Sequence, residues 1–147
     1  MNIIFYIFAI LCGAANSIQS GVNAELRKAI NNPIFAAIIS FSIGLVALIL
    51  ITPFFKEPIP SLASLKSLAW WKWIGGLLGA FFVTTVILIV QRIGSANMIA
   101  LIVAGQLITA MTLDHFGLIG FKMHPISMWR IIGGIVTVIG VYMIVKN

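Results

Sequence analysis

The stretch Pro33 to Phe55 reads PIFAAIISFSIGLVALILITPFF, and no charged side chain interrupts it. A bilayer core about 30 Å thick is crossed by roughly 20 apolar residues in an α-helix, so this run has the length and composition of a membrane span. Working outward, comparable runs occupy Ile3 to Ala24, Trp73 to Gln91, Ser95 to Phe116 and Ser127 to Val145. Five spans leave no room for a soluble domain in 147 residues. The composition agrees: 61% hydrophobic and 8% charged residues, with a mean hydropathy of +1.16, exceed what a soluble domain can cover with polar surface. The expected fold class is an all-α membrane protein of five transmembrane helices, with residues 1–147 forming a single transmembrane domain.

The net charge of +6 and pI near 10.0 do not point to nucleic acid. The basic residues stand singly or in pairs at span ends, where Lys and Arg snorkel to headgroups, and no basic stripe is present to contact phosphates. No Lys or Arg precedes the first apolar run, and that run continues past Gly13, Ala14 and Ala15, so it is expected to be a retained span rather than a cleaved signal. Cys12 is the only cysteine; it excludes an internal disulfide and is expected to be a small buried thiol.

Orientation is normally read from the excess of Lys and Arg in cytoplasmic loops. Here one side receives Arg27, Lys28, Arg92 and Lys146, and the other Lys56, Lys66, Lys72, Lys122 and Arg130. So even a division does not select an orientation. One reading is insertion both ways up, so that two chains pair as an antiparallel homodimer and form a ten-helix inverted-repeat body, a recurrent transporter plan. The other is a single orientation fixed by translocation kinetics, lipid or a partner.

The connections Glu25 to Asn32, Arg92 to Gly94 and Gly117 to Ile126 are short, as expected for neighbouring antiparallel helices. The longer one, Lys56 to Lys72, follows Pro53 and contains Pro58 and Pro60. Ser61 is expected to cap a short interfacial segment at about residues 61–70, with Leu62, Leu65 and Leu68 on one side. Trp70, Trp71 and Trp73, with Lys72 among them, read as an aromatic belt.

Polar residues inside spans are costly in lipid and turn toward protein or water. At 100° per residue, Asn16, Gln19, Ser20 and Asn23 fall within about 100° of one another, and Arg27 continues the stripe if the helix persists. Glu25 lies about 180° from Asn16, so its expected role is pairing with Lys28 or Arg27 at the span end. On the fourth span Gln106 and Thr109 share a face with Ser95, while Asn97 is placed to help cap the helix start. The third span offers Thr84, with Gln91 on the same side. A chamber lined by Asn16, Gln19, Asn23, Gln106 and Thr84 suits a polar or charged small molecule held through neutral hydrogen bonds; the competing reading makes these amides interhelical glue, worth roughly 0.6 to 2 kcal/mol each. Gly75 with Gly79, and Gly133 with Gly134, mark candidate helix-packing faces.

Asp114, His115 and His124 are the remaining ionisable groups near the membrane. Imidazole titrates near neutral pH, so an Asp–His pair is a candidate proton relay, but adjacent residues on a helix point about 100° apart. The plainer expectation is an Asp114 held by water or by Lys122. Two histidines without a third ligand do not make a metal site. No catalytic triad or phosphate-cradling motif is present, so neither a catalytic residue nor a cofactor is expected, and the chain does not read as an enzyme.

Three stretches carry a family resemblance: GAANSIQSGVNAELR from Gly13 to Arg27, WWKWIGGLLGAFFV from Trp70 to Val83, and GQLITAMTLDHFGLIG from Gly105 to Gly120. Together they resemble the YdcZ family, half-length five-helix members of the drug/metabolite transporter superfamily. The resemblance implies a multi-pass protein of the bacterial inner membrane, a ten-helix assembly of two half-length chains or of a chain with a paired homologue, and export of a small molecule. Gln19, Asn23, Arg27, Gly105, Gln106, Asp114, His115 and Gly117 are the matching positions. The small multidrug resistance proteins, shorter inverted dimers in the same superfamily, exchange protons for cations through a Glu in the middle of their first helix. This chain has no acid there, and Glu25 lies off the stripe.

The expectation is an exporter of a small polar metabolite or drug-like solute working by alternating access. A dual-topology passive ion channel and a non-transporting membrane adaptor are the alternatives from other classes. The remaining expected partner is the lipid bilayer.

Overall fold

The computed structural model describes residues 3–56 and 58–147, and among them it is all-helical. Five helices are long and apolar enough to cross a membrane. The chain divides into two compact units, Met1–Arg92 and Ile93–Asn147.

In the first unit, α1 runs without interruption over Ile3–Ile30. At 1.5 Å per residue its 28 residues extend about 42 Å, longer than the hydrocarbon core, and the helix persists through Arg27. Its end is written in three residues. Asn31 takes the left-handed conformation, φ 52°, which asparagine tolerates better than most residues. The Asn32 side chain then caps α2 (Pro33–Ile51), accepting from the amides of Ile34 and Phe35 at 3.0 and 3.1 Å. Pro33 occupies the first helical position, where its missing N–H costs nothing. Beyond this corner α2 packs against α1.

A single 3₁₀ turn, Thr52–Phe55, ends α2 at Pro53. The following segment is helical only over α3, Leu62–Lys66, whose Ser61 cap accepts from the Ser64 amide at 3.2 Å. After another 3₁₀ turn at Trp70–Trp73, α4 covers Ile74–Ile93. The packed centre of this unit is small: Ala36 and Ala37 of α2 meet Val83 and Ile87 of α4, with Leu26 and Phe82 against them. The Phe41 ring fits over Gly79, where a Cβ would meet it at 3.6 Å.

In the second unit, α5 (Ser95–Phe116) packs against α6 (Met128–Lys146). Asn97 does not cap α5. The cap position is Gly94, whose φ of 81° suits glycine and which offers no side-chain bond, and Asn97 lies already inside the first turn. Gly117, in the left-handed conformation, closes α5. A 3₁₀ turn at Leu118–Gly120 follows, and Ser127 caps α6 by accepting from the Arg130 amide at 3.3 Å.

Large apolar side chains are exposed on both units: Ile3, Phe5 and Ile10 on the first and Met128 and Trp129 on the second are each at least 70% exposed. This inversion of soluble packing belongs in lipid, where tails replace the core as apolar surroundings. Cys12 is likewise exposed rather than a buried thiol, because the N-terminal half of α1 has no buried residue to pack around.

Candidate functional site

The polar stripe of α1 separates by depth. Ser20 and Asn23 are 3% and 4% exposed, the only buried polar residues among those described. Asn16 is half-buried and Gln19 exposed. Ser20 turns its hydroxyl back to the Asn16 carbonyl at 2.8 Å, a local bond that satisfies it within the helix. Asn23 has no side-chain hydrogen bond to any described residue, yet none of its polar atoms is both sealed and unpaired. Its amide therefore retains a narrow access to the surroundings.

One turn further on, α1 and α4 are joined by three hydrogen bonds that run in both directions. The Arg27 guanidinium donates to the carbonyls of Ile87 at 2.9 Å and Leu88 at 3.3 Å, and the Gln91 amide donates to the Ala24 carbonyl at 3.1 Å. Each helix therefore supplies a side chain to the other's backbone. Arg27 extends the stripe as the wheel requires, but its charge is spent on holding α4. Because both carbonyls are reached by Nη1, at the tip of a side chain longer than lysine's, Arg27→Lys should keep the charge and lose the reach. We expect both Arg27→Lys and Arg27→Ala to lower the thermal midpoint of the purified protein, with lysine recovering less than half of the loss; full recovery by lysine would reduce the role to charge alone.

Glu25 pairs with Lys28 at 2.6 Å on the exposed side of α1, off the stripe. Thr84 opens onto a groove between α2 and α4 lined also by Ser42, Phe41 and Ala80, and no α1 residue lines that groove. Gly75 faces open space, whereas Gly79 meets Phe41.

In the second unit Gln106 and Thr109 are both exposed on α5. Asp114 is not held by Lys122: its Oδ2 accepts from Arg130 Nη2 at 3.0 Å. Arg130 lies on the first turn of α6, and Nη1 of the same guanidinium reaches the His124 carbonyl at 3.1 Å. The His124 amide donates to the Asp114 carbonyl at 2.8 Å. His115 accepts at Nδ1 from the Ile126 amide at 3.1 Å. The Asp–His pair is thus divided, with the carboxylate facing α6 and the imidazole facing the connection. Asp114 and Arg130 border a groove between α5 and α6 of about 330 Å³, floored by Gly133, Gly134 and Thr137. A Cβ on Gly134 would meet Met111 Sδ at 3.7 Å, while Gly133 is open.

Five helices long and apolar enough to cross a bilayer define a multi-pass membrane protein. Residues 4–143 match the family described as "Putative inner membrane exporter, YdcZ". The chain belongs to this YdcZ family, which is not an enzyme family, and it is a multi-pass protein of the inner membrane. Over 141 residues it is 30% identical to the "Inner membrane protein YdcZ" of Escherichia coli (strain K12), a match covering 95% of this chain and 93% of that protein. No solved structure matches it.

Proposed function

We propose that two of these chains, or one chain and a homologue, enclose a path for a small polar solute and carry it across the inner membrane by alternating access. The observation that carries this reading is Asn23, an amide 4% exposed with no side-chain hydrogen bond within the described chain, on a stripe whose Gln19 remains exposed. An amide facing hydrocarbon costs several kcal/mol, of order 1–3 on protein scales and more on alkane scales. Gln19 and Gln106 therefore support a chain whose polar faces meet protein or water, and Gly75 and Gly133 leave close-approach faces open for a partner. Each chain would be one transmembrane domain, and an antiparallel pairing would give ten helices around a neutral interior. With Asp114 engaged by Arg130 and Glu25 by Lys28, the path has no free carboxylate among the described residues.

The segment between α2 and α4 is read as a strap at the membrane interface. Trp70 is 77% exposed, and Lys72 Nζ sits 5.7 Å from the centre of the Trp71 ring, an arrangement suited to headgroup depth.

Proteoliposome flux separates the possibilities. A saturable flux with countertransport supports the carrier, a conductance would make the pair a channel, and no flux in any condition would leave a membrane adaptor. C-terminal reporter fusions test the pairing: signal from both compartments supports antiparallel homodimers, and signal from one compartment removes them.

A further inference from the structure

The connection between α5 and α6 is folded back onto the helix it leaves. Gly117 (φ 59°) turns the chain, and a Cβ there would sit 3.4 Å from the Met123 Cβ, so the following segment passes directly over it. The backbone of that segment is then tied at two points. The His124 amide takes the Asp114 carbonyl at 2.8 Å, and the Ile126 amide takes the His115 ring at 3.1 Å. The tie at His115 differs in kind from the rest, because a ring nitrogen accepts a hydrogen bond only while it carries no proton.

We propose that His115 is a proton-operated latch, closing the α5–α6 connection while its Nδ1 is unprotonated and releasing it when a proton from solvent binds there. Protonation turns Nδ1 from an acceptor into a donor facing the Ile126 N–H, so the bond is lost and two donors oppose each other. Imidazole is the side chain that changes charge between pH 5 and 8.

The ionisable groups around the ring are Asp114 beside it on α5, Lys122 and His124 on the connection, and Arg130 on α6. Asp114 and Arg130 are engaged with each other at 3.0 Å, and this pair does not pass through the ring. His124 contributes its backbone N–H and carbonyl, and its side chain makes no hydrogen bond to a described residue. The same connection holds Ile119, a β-branched residue, at φ 56°, a left-handed conformation that such side chains resist. Ile126 lies one residue before the Ser127 cap of α6, so opening the latch loosens the entry to that helix.

This inference concerns the connection itself and stands or falls separately from the transport reading. The test is amide hydrogen exchange at Ile126 in the full-length protein in nanodiscs between pH 8 and pH 5, corrected for the intrinsic pH dependence of exchange. The native protein should lose roughly three- to tenfold of its Ile126 protection on acidification, the range expected for one hydrogen bond. His115→Asn, which places a non-titrating oxygen near the Nδ1 position, should keep protection at both pH values. His115→Phe should lose it at both, and His124→Asn should respond as the native protein does. A native profile that is flat, or a His115→Asn profile that still responds, overturns the proposal; in the second case the titrating group is another one.

Discussion

Asp114→Ala is expected to destabilise the purified protein by roughly 1–2 kcal/mol, with Arg130→Ala costing about as much and the double variant costing less than the sum. The carboxylate and guanidinium meet at 3.0 Å with side-chain exposures of 25% and 38%. That places the pair between an exposed ion pair, worth roughly 0–1 kcal/mol, and a fully buried one, where removing a partner costs roughly 3–5. Truncating Asp114 leaves the cation with the His124 carbonyl as its one remaining partner among the described residues. Truncating both removes the stranded charge together with its partner. A thermodynamic cycle in mixed micelles measures the coupling. Strict additivity would mean that the two side chains stand close without depending on each other.

Asn23→Ala is the second large effect, and its value lies in what it leaves unchanged. If Asn23 were glue within the chain, its loss would cost roughly 0.6–2 kcal/mol of stability. Its side chain makes no hydrogen bond to the described residues, so the thermal midpoint should stay within about a degree or two, since a change of 1 kcal/mol shifts it by roughly 2–8 °C in domains of ordinary size. A solute that bonds to the amide would instead lose one hydrogen bond, and its apparent affinity should fall roughly tenfold. Parallel measurements of melting and of solute flux in proteoliposomes check both halves. A lower midpoint with unaltered flux would return Asn23 to a structural role.

The all-helical fold and its five apolar helices are legible in the sequence because run length against bilayer thickness is a coarse and robust signal. The corner at Asn31, Asn32 and Pro33 is written as local chemistry too, since left-handed conformation, cap and first helical position each have a preferred residue. Depth is harder to read. The wheel puts Asn16, Gln19, Ser20 and Asn23 on one face, but it cannot say that Ser20 and Asn23 are buried while Gln19 is exposed, because that depends on how closely neighbouring helices approach. Thr84 shows the same limit: periodicity gives its side of α4, and the α2 packing decides which groove that side meets.

The charged partners are hidden for a different reason. Asp114 and Arg130 are sixteen residues apart, and their meeting depends on a connection turned by Gly117, Ile119 and Gly120, three positive-φ residues of which one is an isoleucine that no turn rule selects. Arg27 lies on the predicted stripe, yet a side chain of its length reaches backbone carbonyls on α4 that carry no sequence mark. The His115 bond is equally invisible, because its donor is a main-chain amide. Partners of this kind belong to the folded path of the chain rather than to residue type.

In the proposed carrier the α1 stripe faces a polar path and the opposite side of the same helix faces lipid. It is tested most directly by single cysteines placed at Gln19 and Ile18 in a Cys12→Ser background and labelled in native membranes with a hydrophilic maleimide. Both positions are exposed on the isolated chain, Ile18 at 68%, so accessibility of the single chain does not separate them. Rapid labelling at Gln19 and little at Ile18 is the expected result, since a thiol in hydrocarbon neither ionises nor meets the reagent. Equal labelling, or faster labelling at Ile18, would contradict it.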